Sequence, residues 1–301
     1  MARGMSIDTI NLMARTPERF IAQCEEDFVR EVIRLSQYIL EKNLHFVYLS
    51  GPTSSGKTTF ANTLFHYIQD KKLVPISLDD FFFPQETMRL RKDGTKDFET
   101  IKTIDIPKYR KVIRQIQAGK PVSLPYFDFN ARKVVDNHKM LTPERDTIYI
   151  VEGLHALNDK ICGLTPREDS VKVYVSPYGQ VFNHNSRPYN RYDFRFLRRM
   201  IRDNFYRNAP PEVTFQMWVS VRAGEKRYSY LKKADFLIDT FLFYEPCVLK
   251  KPGLELLYPM ARDNGKAKRL IRLLEQFTPI PQELIPETSI LNEFLPKRTQ
   301  G

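Results

Sequence analysis

Cysteine is scarce in this 301-residue chain, which has only Cys24, Cys162 and Cys247, and these lie far apart. Three widely spaced cysteines cannot form a disulfide framework, and they are too few for a cysteine-rich zinc site. The sequence therefore excludes a small secreted scaffold that depends on disulfides. We expect a chain with this cysteine usage in the cytoplasm.

Long apolar runs are also missing. Arg3, Asp8, Arg15 and Glu18 interrupt the apolar residues of the N-terminus, and no uninterrupted apolar stretch is long enough to span a membrane. The chain has no internal repeat, low-complexity tract or long Gly/Ser linker. Because 42% of its residues are hydrophobic, it can bury enough apolar surface to fold. A single compact unit is expected, without export or membrane insertion.

Positive charge, in contrast, is in excess. The chain has 47 Lys and Arg against 36 Asp and Glu, which gives a formal net charge of +11. Much of this excess is local, because residues 187–233 hold 12 basic and 4 acidic side chains, a net +8. Such a balance suggests nucleic acid, anionic lipid or phosphorylated small molecules as partners.

Short apolar runs alternate with helical patterns along the chain. Apolar residues recur at helical spacing from Arg19 to Lys42, which predicts an amphipathic helix. Five β-rich runs follow, at residues 45–49, 73–78, 147–151, 171–175 and 236–239. This alternation favours an α/β fold of three layers, with a central parallel sheet between helices. Ligands of such sheets bind beyond the carboxyl ends of the strands.

The first of these strand ends carries a phosphate-binding pattern. Residues 51–58 fit G-x-x-x-x-G-K-[ST] and lie between a predicted strand and a helix predicted at 58–70. Backbone N–H groups and the positive helix end can hold a phosphate, and Lys57 can reach the outer phosphates. The predicted nucleotide-binding residues are Gly51, Ser54, Ser55, Gly56, Lys57, Thr58 and Thr59. The alternative is a chance Gly/Ser turn before a helix.

Acidic residues follow two more of the predicted strands. The second run ends at Asp79 and Asp80, and the third ends at Glu152. The carboxyl ends of parallel strands meet at one edge, so two acids should converge on the phosphate loop. One is expected to hold magnesium together with Thr58, and the other to accept the proton of a substrate hydroxyl. Alternatively, Asp79 and Asp80 cap the following turn and Glu152 is a solvated strand end.

Four arginines recur at helical spacing within the basic segment. They are Arg195, Arg198, Arg199 and Arg202. Their separation of three or four residues predicts one cationic helix face, with apolar residues on the opposite face. Guanidinium groups bind phosphate oxygens in pairs and keep their charge, so they could neutralise a transferring phosphoryl group when a lid closes. The alternatives are a solvated basic face and a face that binds RNA.

Together these residues resemble the phosphoribulokinase and uridine kinase family of P-loop kinases. The similar stretches lie between residues 45 and 240: the phosphate loop, residues 77–82, 97–105, 124–129 and 150–154, and the arginine run through Asp203. The chain resembles most the kinase half of bacterial uridine kinase-like proteins that carry a threonyl-tRNA synthetase-like region ahead of it. Residues 289–295 resemble their tail as well.

The resemblance implies a three-layer P-loop kinase fold with an arginine-rich lid at about residues 187–233. It implies a kinase domain at 44–249, an N-terminal helical extension at 1–43 and a C-terminal helical extension at 250–301 that packs on the kinase domain. ATP and Mg²⁺ are the implied cofactors. By resemblance, Asp79 and Lys57 act in catalysis with the lid arginines Arg199 and Arg202, and Thr58 and Glu152 are associated with magnesium.

The acceptor is expected near Glu99, Tyr126, Phe127 and Arg132. Glu99 stands where the family has a ribose-binding aspartate, and it could accept hydrogen bonds from a diol. We therefore predict a kinase of an alcohol group on a nucleoside-like small molecule, without nucleic acid or membrane partners; whether it is a homo-oligomer stays open. Pantothenate, a sugar phosphate or glycerate are alternative acceptors. A non-catalytic, ATP-dependent RNA-binding or regulatory module is the alternative from another class.

Overall fold

The computed structural model of the protein describes residues 3–69, 71–84, 87, 99–128 and 133–297. Within these residues the strands are β1 (Gly4–Ser6), β2 (Phe46–Ser50), β3 (Lys72–Ser77), β4 (Val122–Asp128), β5 (Lys133–Leu141), β6 (Thr147–Glu152), β7 (Ser170–Ser176), β8 (Gln180–Phe182) and β9 (Phe236–Asp239). The α-helices are α1 (Ile7–Met13), α2 (Pro17–Glu41), α3 (Lys57–Tyr67), α4 (Ile106–Gln117), α5 (Asp159–Cys162), α6 (Arg191–Arg207), α7 (Pro211–Arg227), α8 (Glu245–Leu257) and α9 (Gly265–Glu275).

Five parallel strands form the central sheet, in the order β3-β6-β2-β7-β9. Each coincides with one of the apolar runs, so the predicted α/β fold is confirmed. β2 lies in the middle and pairs with β6 and β7, with Leu49 opposite Glu152 and Ser50 opposite Tyr174. Every residue of β2 is buried, as expected of a strand covered on both faces. This order brings the carboxyl ends of β2, β3 and β6 side by side.

Helices cover both faces of the sheet and complete the three layers. On one face, Phe28 of α2 and Phe60 of α3 meet edge to face at 6.3 Å and share a core with Val47 of β2. On the other face, Tyr109 of α4 packs in a core with Tyr48 of β2. Val47 and Tyr48 serve different cores because successive residues of a strand point to opposite faces.

The amphipathic helix predicted at 19–42 is α2. It begins at Pro17, because proline fits the first turn of a helix, where no backbone donor is needed. The core under α2 also contains Leu249 of α8, Leu270 of α9 and Leu291 near the C-terminus. Residues before 44 and after 249 therefore share one core with the sheet. Neither α2 nor any other described helix is both long and apolar enough to cross a bilayer.

An antiparallel hairpin, β4 and β5, lies outside the parallel sheet and was not predicted. It pairs Val122 with Leu141 and Asp128 with Lys133. Charged and polar residues interrupt β5, so it lacks the continuous apolar run by which the parallel strands are recognised. β1 and β8, which pair in parallel as a separate small sheet, have three residues each and are too short to give a pattern.

Candidate active site

The predicted phosphate loop connects β2 to α3. Gly56 precedes the helix with φ +83°, in the left-handed region that favours glycine. Gly51 is required for another reason, because an added Cβ would lie 2.1 Å from the carbonyl oxygen of Val175. The hydroxyls of Ser54 and Ser55 are buried, and neither has a hydrogen-bond partner in the described part of the chain. Buried donors of this kind are expected where a ligand supplies the missing acceptor.

The loop forms one wall of a cavity of about 670 Å³ at the carboxyl ends of β2, β3 and β6. A volume of this size is ordinary for a small-molecule site. The cavity is lined by most residues predicted from the sequence: Gly51, Ser54, Ser55, Gly56, Lys57, Thr58, Asp79, Glu99, Phe127, Glu152, Arg199 and Arg202. We call it the catalytic cavity.

Lys57 is held inside the loop. Its Nζ donates to the carbonyl oxygens of Gly51 at 3.0 Å and Pro52 at 3.1 Å. Burial lowers the pKa of Lys57, whereas the nearby carboxylates of Glu152 and Glu293 raise it. Phosphate oxygens are charged and are therefore stronger acceptors than peptide carbonyls. The ammonium group can exchange its two present acceptors for phosphate oxygens.

Asp79 and Glu152 both open into the catalytic cavity with Lys57. Ser77 pairs with Glu152 across β3 and β6, which brings the two strand ends together. Asp79 follows in a short 3₁₀-helix, Leu78–Phe81. Desolvation by the surrounding protein raises the pKa of both carboxyl groups, and the charge of Lys57 opposes this shift. The structure thus places one cation and two acids around a common space.

Only some of the residues predicted to bind the acceptor line the catalytic cavity. Glu99 and Phe127 line the catalytic cavity, and Phe127 is fixed by its backbone N–H, which donates to Asp80 Oδ1 at 3.0 Å. Tyr126, the neighbour of Phe127 in β4, does not line the catalytic cavity, as expected where successive strand residues face opposite sides. Tyr126 is 41% exposed and stacks on His138, away from the cavity. Arg132 lies outside the described residues.

Glu99 is enclosed by α7 and by His155. A Cβ on Gly224 would lie 2.5 Å from the Cβ of Glu99, so α7 approaches this closely because residue 224 has no side chain. One ring nitrogen of His155 lies 3.0 Å from the carbonyl oxygen of Glu99, and the other lies 2.9 Å from Tyr230 Oη. Burial raises the pKa of Glu99 to about 7, and Glu225 shifts it in the same direction. His155 therefore fixes the backbone of Glu99, a role that the sequence did not reveal.

The predicted arginine face splits between the catalytic cavity and the protein interior. Arg199 and Arg202 line the catalytic cavity, whereas Arg195 and Arg198 do not. All four are at most 8% exposed, which excludes a solvated basic face. Arg198 forms a fully buried pair with Glu245 of α8, with two N–O distances of 2.6 Å. Helical spacing alone could not reveal this partner, which is 47 residues away.

Glu293 also lines the catalytic cavity and was not among the predicted site residues. It ends a 3₁₀-helix, Ile290–Glu293, that Ser289 caps. Glu293 Oε2 accepts a hydrogen bond from Thr59 Oγ1 at 2.9 Å, and Oε1 lies 3.8 Å from Arg202 Nη1. Thr59, a predicted ATP-binding residue, thus sits beside the cavity and contacts this wall. The only signal in the sequence is the resemblance of residues 289–295 to a related tail.

The hydroxyl and carboxylate oxygens that line the catalytic cavity near Lys57 are suitable ligands for a Mg²⁺ ion that also binds phosphates. Thr58, an exposed residue with a hydroxyl, and Glu152, with its carboxylate, line the same cavity. Mg²⁺ prefers oxygen ligands and at nucleotide sites usually takes one or two carboxylates, with phosphates and water completing its shell. Among the described residues, no group of three or more His, Cys, Asp or Glu could hold a metal alone. A metal here would depend on the phosphates for part of its shell.

Comparison with known proteins gives a matching family model and relatives of low sequence identity. The model of the phosphoribulokinase/uridine kinase family matches residues 46–228, more than half of the chain. Uridine kinase-like protein 5 of Arabidopsis thaliana is 25% identical over 111 residues, which cover 37% of this chain and 23% of that protein. The uridine kinase of Lactobacillus johnsonii is 24% identical over 174 residues, 57% of this chain and 74% of the relative. The chain thus spans less than a quarter of the first relative.

A solved structure described as a fructose transport system kinase from a Silicibacter species has a similar fold. It aligns with a TM-score of 0.50 at 16% identity, over 68% of this chain and 98% of that one. At this identity the likeness concerns the fold alone.

Proposed function

Because this chain belongs to the phosphoribulokinase/uridine kinase family, we propose that it transfers the γ-phosphoryl group of MgATP to a hydroxyl of a small nucleoside-like molecule. The observation that carries the proposal is the shared cavity of Lys57, Asp79 and Glu152. Phosphoryl transfer needs a cation at the outer phosphates, oxygen ligands for a metal and a group that orients the attacking hydroxyl. These three residues have the required chemistry.

The phosphate loop holds the donor. The amides at the start of α3, the unpartnered hydroxyls of Ser54 and Ser55, and Lys57 bind the phosphates. Thr58 and Glu152 would hold Mg²⁺, which would supply neutralising charge to the phosphate oxygens. Positioning and charge stabilisation are the main demands of this reaction.

Asp79 orients the acceptor hydroxyl and takes its proton late in the transfer. An aspartate with its usual pKa is a weak base, and desolvation in the cavity raises the pKa of Asp79. Its carboxylate is therefore a better proton acceptor than an exposed one. The loose transition state of phosphoryl transfer still makes positioning the larger contribution.

Arg199 and Arg202 stabilise the charge of the transferring group. Arg199 Nη1 lies 3.4 Å from Thr53 Oγ1 of the phosphate loop, and both arginines open into the catalytic cavity. Guanidinium donors held in a water-poor site are effective because they need little rearrangement during the reaction. Whether residues 187–233 close as a lid stays a prediction.

Glu99 and Phe127 form the acceptor wall. A carboxylate can accept two hydrogen bonds from a diol, and an aromatic ring can pack against a sugar or base. Two relatives named uridine kinase, each 24% identical to this chain, support a nucleoside acceptor.

An acceptor panel tests this function directly. The purified chain with MgATP is assayed for ADP release with uridine, cytidine, pantothenate, glycerate and a sugar phosphate, and we expect release that depends on a nucleoside.

Asp79→Asn should abolish turnover while ATP binding changes by no more than a few-fold. Asp80→Asn is the matched control, because asparagine keeps the oxygen that accepts from Phe127. Unchanged turnover in Asp79→Asn would reassign the base, and ATP binding without acceptor-dependent ADP release would favour a regulatory module.

A further inference from the structure

A second cavity, of about 440 Å³, lies outside the catalytic cavity. Its walls come from the end of β7, from α6 and from α7, and it meets the phosphate loop only at Pro52. Arg195 and Arg199 are one helical turn apart in α6, and the two open into different cavities. We call this space the tyrosine cavity, because Tyr174, Tyr178 and Tyr192 line it.

Three buried polar atoms around the tyrosine cavity have no hydrogen-bond partner among the described residues. They are Tyr178 Oη, Arg195 Nε and Glu225 Oε1. Arg195 and Glu225 are 3% and 7% exposed, and they pair with each other through their remaining atoms. A buried polar atom without a hydrogen-bond partner is costly to the folded state, so three beside one cavity indicate that a ligand completes them.

The cavity walls also define the charge and shape of that ligand. Among the described residues that line the cavity, Arg191, Arg195, Arg222 and Lys226 face one acid, Glu225, which is an excess of three positive charges. The guanidinium of Arg222 lies 3.3 Å from the centre of the Tyr192 ring, so flat groups already stack in this wall. Tyrosine rings and guanidinium planes are the surfaces on which a planar ring stacks. The ligand should therefore combine a flat ring with a negative charge.

We propose that the tyrosine cavity binds a nucleoside monophosphate at a site separate from the catalytic cavity. The base stacks among the tyrosines, a ring or exocyclic N–H of the base donates to Glu225 Oε1, an acceptor of the base receives the hydrogen bond of Arg195 Nε, and Tyr178 Oη donates to a ligand oxygen. The phosphate lies against the surrounding arginines and Lys226. A cavity of this volume is large enough for such a molecule. This proposal does not depend on the kinase function.

Calorimetric titration of UMP and AMP into the chain saturated with a non-hydrolysable ATP analogue tests the site. We expect at least one mononucleotide to bind with the phosphate loop occupied. Ribose 5-phosphate and inorganic phosphate, which lack a base, should bind at least tenfold more weakly. Binding should persist in Lys57→Ala, which disables the phosphate loop, so a failure of the proposed kinase function would leave this result unaffected.

Tyr178→Phe locates the binding. It removes only the unpaired hydroxyl, so we expect about three- to tenfold weaker mononucleotide binding with thermal stability unchanged or higher. Tyr149→Phe makes the same change in β6, outside this cavity, and should bind as the parent does. Arg222→Gln should weaken binding further through loss of charge.

Three results would overturn the proposal. They are the absence of binding by either mononucleotide at millimolar concentration, full competition by the ATP analogue, and equal affinity in Tyr178→Phe and the parent. Competition would place the mononucleotide at the phosphate loop instead.

Discussion

At the scale of single residues, replacement of Lys57 should have a large effect on catalysis. Its ammonium group already sits against two loop carbonyls, in the place where charge builds during transfer. Lys57→Ala should cost about 3 kcal/mol or more of transition-state stabilisation, measured as kcat/KM. Lys71→Ala removes a lysine that pairs with Asp146 near the opposite ends of the strands, and it should leave turnover unchanged. A loss below tenfold in Lys57→Ala would be inconsistent with its role.

Glu99 should make stability depend on pH. Burial raises its pKa from 4.5 to about 7, so between these values the folded chain binds more protons than the unfolded chain. The free energy of unfolding therefore falls as pH rises through this window. Glu99→Gln removes the titration and should be more stable than the parent above about pH 7, by about 3 kcal/mol, and equally stable below pH 4.5. Denaturant midpoints of both chains across this range measure the difference; parallel curves would contradict it.

At the scale of elements, adjacent arginines of α6 have opposite tasks. Arg198 joins α6 to α8 through Glu245, whereas Arg199 opens into the catalytic cavity. Arg198→Met leaves a buried carboxylate unpaired and should cost about 3–5 kcal/mol of folding stability. Adding Glu245→Leu should recover most of that loss. Arg199→Met should lower kcat with a smaller change in stability, and denaturant curves with single-turnover rates separate the two effects. Equal loss of stability in both single variants would refute this division.

Sequence patterns predicted the elements whose signals are local. The five parallel strands are short apolar runs, and the phosphate loop is a contiguous motif, so both were found. β5 was missed because its polar residues interrupt the apolar pattern by which a strand is recognised. The predicted arginine face differs from the structure because Arg195 and Arg198 pair with acids of α7 and α8, and only Arg199 and Arg202 open into the catalytic cavity. Arg198 meets Glu245 only after α8 has folded against α6. Glu293 reaches Thr59 from 234 residues away, a distance over which no periodicity gives information.

At the scale of the whole molecule, the C-terminal segment and the phosphate loop should be energetically coupled. A Cβ on Gly56 would lie 2.4 Å from Ile290 Cδ1. Gly56→Ala should therefore cost about 2–4 kcal/mol, from left-handed strain and from this clash. Gly119→Ala is the control, because Gly119 has φ +66° with open space around it, so it should cost only about 1 kcal/mol.

Truncation of Ile290 tests the coupling. Ile290→Ala alone removes a fully buried side chain and should be destabilising by about 2–5 kcal/mol. In the double variant with Gly56→Ala the clash is gone, so the combined loss should be smaller than the sum by about 1 kcal/mol or more. Chemical denaturation of the four chains measures this cycle. Strictly additive losses would show that the loop and the C-terminal segment are independent.

The position of Ile290–Glu293 against the phosphate loop also has a consequence during protein synthesis. The ribosome makes this segment after the other described residues that line the catalytic cavity, because the loop, both acids and the arginines come earlier in the chain. A nascent chain that has folded as far as α8 still has an open side at Gly56 and Thr59. The nucleotide site is therefore completed only once Ile290–Glu293 has been made, and a product that terminates before this segment would retain the motif without its closing wall.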